Sequence, residues 1–275
     1  MHKWLILLLA VLLSACSDHG TNGGAEPDRT ANEVIDKHGS IENLGALDTF
    51  VQKASNDEPS SVRIVQYTIE GDPIYHDLTV SDQKITLRYD TTEDKFGSGK
   101  ITTYECEELA RTETGTLLAY TLKGCSGGNK ERAVLRVPFD LQAQDYFGFV
   151  LKYGVGERNE VNTIDRILAK DLQNGKRATI DGFQLTADEL QRIYKTLVLA
   201  NYLSEKRLTT ECNRKPHQSY YLKVKINGAD REYRWSECDG GQDGIAMTEV
   251  SKAIIDVVSN RDDYKKLPDV QGSYL

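Results

Sequence analysis

The chain has 275 residues, 39% of them hydrophobic and 28% charged, enough apolar side chain for one large domain or two small ones and far too water-facing for a polytopic membrane protein. Its 34 Lys and Arg against 42 Asp and Glu give a formal net charge of −8, which weighs against a phosphate-tracking surface and so against nucleic acid as a partner.

The first residues have the three-part layout of an export signal. Met1-His2-Lys3 is a short basic start, residues 4–13 are an unbroken apolar run, and Ser14-Ala15-Cys16 follows. Ten helical residues span ~15 Å, about half of a ~30 Å hydrocarbon core, so a permanent membrane span is the poorer reading. Leu13-Ser14-Ala15-Cys16 resembles the lipobox of bacterial lipoproteins, in which the cysteine thiol takes a diacylglyceryl group and the chain is cut before it. Residues 1–15 are then a removed signal peptide and Cys16 carries the acyl chains that attach the protein to the extracytoplasmic face of the cell membrane. A secreted protein cut near Ala15 is the alternative. Residues 17–32 contain no large apolar side chain and read as a tether, so that 16–32 comprise lipidated cysteine and linker. Loss of Lys3 with the signal makes the remainder still more acidic, so anionic lipid should repel it.

Four cysteines remain, Cys106, Cys125, Cys212 and Cys238, an even number in an exported chain where disulfides persist. Of three possible connectivities, Cys106–Cys125 and Cys212–Cys238 keep each bridge within one expected domain; free buried thiols are the alternative.

Beyond the tether, apolar residues at three- and four-residue spacing predict a helix over 41–54 capped by Ser40. Short β-branched and aromatic runs predict strands at 62–69, 74–80, 85–89, 101–106 and 116–122, with Gly71-Asp72-Pro73 and Ser81-Asp82 as turns. A strand at 133–137 leads to a boundary near 138–145. Strands are then expected at 147–153, 162–172 and 177–185. Thr186-Ala187-Asp188-Glu189 fits a capping box opening a helix that runs to about Leu203. Tyr220 to Ile226, the Asn227-Gly228 turn, and Tyr233 with Trp235 form the strongest hairpin pattern, and Val250, Ala253, Ile254, Val257 and Val258 line a last helix. The class is α+β: two small modules at 33–138 and 139–265, each a mostly antiparallel sheet packed against one or two helices, with 266–275 a frayed tail.

Arg63-Ile64-Val65-Gln66-Tyr67-Thr68-Ile69-Glu70-Gly71-Asp72-Pro73-Ile74-Tyr75-His76-Asp77, together with Ile41-Glu42-Asn43-Leu44, Asp94-Lys95-Phe96-Gly97 and Tyr104-Glu105-Cys106, resembles Gram-positive lipoproteins bearing domain of unknown function 4362 over roughly residues 32–138. The second half, around residues 153–159 and Cys212, looks like a module of other lipoproteins of such bacteria. The resemblance implies a lipid-anchored extracytoplasmic protein and carries no settled activity.

Each pattern that suggests chemistry has a plainer reading. Gly124-Cys125-Ser126-Gly127-Gly128 fits G-x-S-x-G, but a strand pattern follows where a nucleophile elbow needs a helix. The 96–101 segment fails the phosphate-loop pattern at its first glycine and its last residue. Cys212, His217, Cys238 and Asp239 could approach a zinc set, yet lack a C-x-x-C pair, and the acidic 239–244 loop lacks the ligands of an EF-hand, though a weak calcium loop stays open; no metal and no cofactor is assigned. His76-Asp77 with Glu105, Glu107 and Glu108 would supply an acid–base set for an envelope hydrolase if folding joined them. Tyr220, Tyr221, Tyr233 and Trp235 gather on one hairpin, and those on its outer face would suit an envelope protein or glycan partner. The leading expectation is a non-catalytic binding, sensing or inhibitory module; oligomeric state is not legible.

Overall fold

The computed structural model describes residues 32–274; the signal segment, Cys16 and the tether up to Ala31 lie outside the described residues. The N-terminal half is built on one six-stranded sheet, sheet A, from β1 (Glu33–Lys37), β2 (Ser40–Glu42), β3 (Ser60–Tyr67), β4 (Pro73–Ser81), β5 (Lys84–Asp90) and β6 (Ile101–Cys106), in the order β2-β1-β3-β4-β5-β6. All neighbours are antiparallel except β1 and β3. That parallel pair exists because helix α1 (Leu44–Ser55) is the crossover between them.

The expected helix from Ser40 begins three residues late. His38 and Gly39 hold positive φ in a tight turn, and Ser40–Glu42 pairs back on β1 as a strand. Ile41 is buried there, so its apolar side chain fits the strand alternation as well as the helical spacing. Asn43, itself left-handed with φ 56°, occupies the N-cap position, and the Ser40 hydroxyl donates instead to Asn201 Oδ1 at 2.9 Å.

From β6 the chain passes through Glu107 into a three-stranded sheet, sheet B, of β7 (Glu108–Glu113), β8 (Leu117–Lys123) and β9 (Arg132–Pro138). β7 was not expected, since its Glu-Leu-Ala-Arg-Thr-Glu sequence offers only one adjacent apolar pair. The Cys106–Cys125 disulfide staples this passage, with Cα atoms 3.9 Å apart. α1 lies against β1 and β3 of sheet A and β7 of sheet B, burying Leu47 and Phe50.

Residues 139–146 then lead into sheet C, an antiparallel sheet ordered β13-β12-β11-β10-β14-β15 from β10 (Phe147–Gly154), β11 (Asn159–Asn162), β12 (Ile167–Asp171), β13 (Arg177–Asp181), β14 (Ser219–Ile226) and β15 (Ala229–Ser236). The single strand expected at 162–172 is the hairpin β11–β12. Asn162 Oδ1 accepts from the main-chain N–H groups of Ile164 and Asp165, closing a turn that completes at Arg166 with φ 59°.

Helix α2 (Ala187–Leu199) opens on the expected capping box, Thr186 and Glu189 bonding each other's main chain, and stops before Asn201, whose φ is 52°, rather than reaching Leu203. Helix α3 (Gln242–Ser259) and the short α4 (Asp262–Lys265) complete the half. The architecture is α+β, as the sequence predicts. The tail corrects one expectation: Gln271 N–H donates to Leu172 O and the Tyr274 hydroxyl to Asp171, so 266–274 is bonded along the end of β12 rather than frayed.

Several side chains join the halves: besides Ser40 on Asn201, Lys195 of α2 pairs with Glu113 of β7, and Gln191 bonds across the seam. Gln191 of α2 donates to Phe139 O at 2.6 Å and Gly115 O at 3.1 Å and accepts from Leu141 N–H at 3.0 Å.

Candidate functional site

Strand alternation decides the fate of His76-Asp77. On β4, His76, Leu78 and Val80 face the core, and His76 is only 7% exposed. Its ring meets Tyr89 edge-on at 4.9 Å, and Nδ1 has no hydrogen-bond partner among the described residues. Burial pushes its pKa down from 6.5 to about 4, with the Asp77 charge pulling weakly the other way, so the imidazole is neutral at neutral pH. Asp77 points from the opposite face, where it accepts from Arg63 Nη2 at 2.9 Å and Arg88 Nη1 at 3.3 Å. Glu105 is on that outer face too, two register positions along, and pairs with Lys84 at 3.1 Å. The structure therefore does not assemble these groups: successive residues of a strand cannot share a face.

Ser126 lies in the loop between β8 and β9. Its N–H donates to Glu105 O and its hydroxyl accepts from Glu105 N–H, so it tethers the loop to the edge of β6 with no helix behind it. Cys212 and Cys238 are joined as a disulfide, the pairing favoured above, which removes the thiolates a zinc set would need. Asp239 accepts from the N–H groups of Thr209 and Gly241, and Asp243 from that of Arg207 while pairing with Lys206. Both carboxylates thus serve to fold the approach to α3, whose N-cap is Gly241.

The aromatic hairpin is mostly core, which corrects three of its four expected binding residues. Tyr220, Tyr233 and Trp235 all face α3 and its neighbours and are buried. Tyr220 stacks on Trp235 with centroids 5.1 Å apart, Trp235 Nε1 donates to Thr248 at 2.9 Å, and the Tyr233 hydroxyl donates to Tyr202 O. Only Tyr221 lies on the outer face, beneath the Arg234 guanidinium at 4.3 Å. The same alternation that marks the hairpin makes its apolar register the buried one.

Two solvent-facing features stand out among the described residues. The first is the outer face of sheet A. A charged row crosses three strands, from Arg63 through Asp77 and Arg88 to Asp90, the last contact being 2.7 Å. Asp77 holds the Arg63 pKa above its usual value, and hydrogen bonds from Thr92, reinforced by Arg88, hold Asp90 below the ordinary carboxylate range. Tyr75 lies under Arg63, its centroid 5.0 Å away, and Tyr67 beneath Lys37. At the end of the sheet where β3 and β5 finish and β4 and β6 begin, Ile69, Phe96 and Ile101 are 90%, 77% and 52% exposed. Asp72 ties the two loops there by accepting from both the N–H and Nζ of Lys95. From the sequence, Ile69 and Ile101 are expected in strands and Phe96 in a loop, with no binding role for any of them; two of the resemblance motifs contain Ile69 and Phe96.

The second feature is concave: a cleft of about 340 Å³ at the seam between the halves, bordering at Asn201 a wider hollow of about 1060 Å³ lined by Lys37, Glu42, Lys206 and Asp243.

Comparison with known proteins identifies the segment that carries the outer face. Residues 31–121 match the family described as Domain of unknown function (DUF4362). The DUF4362 match covers sheet A, α1, β7 and most of β8, and stops short of Cys125 and β9. No curated protein and no solved structure matches the chain.

Proposed function

We propose that this protein is an exported binding module, lipidated on Cys16 and held at the extracytoplasmic face of the cell membrane, that docks an envelope or secreted protein on the outer face of sheet A. The observation that carries the reading is the combination on that face: a half-exposed row of arginines and tyrosines running up to three exposed apolar side chains. Arg and Tyr are the residues enriched at protein interfaces, and exposed apolar side chains beside polar groups suit a docking surface. Two disulfides fit an oxidising compartment. The binding role thereby moves from the hairpin at 220–235 to the DUF4362 segment.

Cross-linking of the lipid-anchored protein in its native envelope tests this. The unaltered chain should capture a partner that the variant Ile69→Glu with Phe96→Glu loses, because a charge buried at the contact without a counterion is costly. Both substituted positions are exposed, so the variant should melt unchanged. Capture that is indifferent to these changes, or lost on Tyr221→Ala alone, would refute the assignment. Mass spectrometry of the membrane fraction should find diacylglyceryl on Cys16, and an unmodified N-terminus elsewhere would refute the anchor.

A further inference from the structure

The seam cleft is lined without a single carboxylate, ammonium or guanidinium group, although the chain around it is 28% charged. Pro138 closes it from the N-terminal half; Val198 of α2 and Ile226 at the end of β14 supply further apolar wall, and Gln144, Asn201 and Asn227 supply amides. Two tyrosines border it, Tyr194 and Tyr202, only 6% and 3% exposed. Neither hydroxyl has a hydrogen-bond partner among the described residues, whereas the nearby buried Tyr233 hydroxyl is fully engaged by main-chain oxygens. Both rings are buried while their hydroxyl oxygens stay open to solvent, so each phenol can give its hydrogen bond to a ligand in the cleft. Asn201 is fixed in place by its left-handed backbone and by the Ser40 hydroxyl on its Oδ1, so its amide nitrogen is left for other use. Asn227 is spent on Gln144 and the Tyr146 N–H, so the seam offers two phenols, the Asn201 and Gln144 amide nitrogens and the His38 imidazole against apolar and aromatic wall, with no Asp, Glu, Lys or Arg among them.

We infer that this cleft binds an uncharged saccharide of one or two rings. Hydroxyls and amides both donate and accept, which matches the alternating hydroxyls of a sugar, and its C–H faces suit tyrosine rings and aliphatic wall. An ionic ligand would give up its hydration with no opposite charge to meet it. About 340 Å³ is at the small end of ligand pockets, which sets the limit of two rings. The site is separate from the outer face of sheet A and does not depend on the partner proposed there.

Calorimetric titration of the full mature chain with glucose, maltose, N-acetylglucosamine and chitobiose, with glucuronate as the charged control, tests the inference. At least one neutral sugar should bind with Kd below about 10 mM and more tightly than glucuronate. Tyr194→Phe and Tyr202→Phe should each weaken it about tenfold, the effect of removing one hydroxyl from a sugar contact, with the melting temperature unchanged. The proposal is overturned if no neutral sugar binds at that level, if glucuronate binds better, or if binding ignores both substitutions.

Discussion

Sheets A and C each have six strands and one apolar face, yet they are closed by different means. Sheet C shares its core with two long helices, Ile193 and Leu197 of α2 and Met247, Val250 and Ile254 of α3 lying in one cluster with Phe149, Leu151, Leu222 and Trp235. Sheet A has only α1, and sheet B makes up the cover. Asp48 of α1 accepts from the Tyr120 hydroxyl at 2.6 Å and from Arg111 at 3.0 Å, which holds the helix to β7 and β8. The Cys106–Cys125 bridge fixes the passage between the two sheets where a second helix would otherwise be needed. A half poor in helix is thus closed by extra strands and a covalent tie, a half rich in helix by aromatic packing. Two buried rings, one from each sheet, differ as well. The indole of Trp235 has its hydrogen bond, while the imidazole of His76 has lost one without replacement at Nδ1.

The sharpest test of this contrast is to remove the centre of the aromatic packing. Trp235→Ala should cost about 3–5 kcal/mol in the C-terminal half, enough to unfold it first on heating while the DUF4362 half retains its transition. Calorimetry showing a single unsplit, barely shifted transition would contradict the dependence of sheet C on that stack. Next in size is the covalent tie. Replacing Cys106 and Cys125 together by Ser should lower the stability of the N-terminal half by about 3 kcal/mol, read as an earlier urea midpoint of its transition.

Acid should then distinguish the halves without mutation. Because burial depresses the folded pKa of His76 to about 4, the unfolded chain takes up a proton below pH 6.5 that the folded chain refuses. Its contribution is therefore full above pH 6.5 and falls away down to about pH 4, a loss of up to about 3 kcal/mol. Chemical denaturation across that range should show the decline, and His76→Leu should flatten it; an unchanged slope would mean that the ring is not buried neutral. The smallest effect concerns the link between the halves. Gln191→Ala removes the bond to Gly115 O across the seam and strands Phe139 O and Leu141 N–H beside it, and should cost about 1–3 kcal/mol, separating the two transitions further.

Elements governed by near neighbours were legible before any coordinates. The capping box at Thr186 and Glu189, and the hairpin around Asn227-Gly228, whose φ values of 45° and 87° suit that dipeptide, needed only local chemistry. Both disulfides followed from locality within each half. The start of α1 did not, because Ile41 satisfies two periods and the choice rests on pairing with β1. Nor did the bonded tail, whose partners Asp171 and Leu172 lie about a hundred residues away.

The sequence by itself determined the α+β class, the resemblance that the DUF4362 match supports over residues 31–121, and most strands and helices, since these depend on spacing, turn chemistry and short loops. Tertiary structure alone decided which groups meet. Strand alternation turned His76 inward and Asp77 outward, and the covering helices claimed Tyr220, Tyr233 and Trp235 for the core. The docking of one half on the other opened a cleft at Tyr194, Tyr202 and Asn201, residues that no motif singles out. A face is fixed by local period, but what that face touches is a contact between distant segments, and one-dimensional spacing holds no record of it.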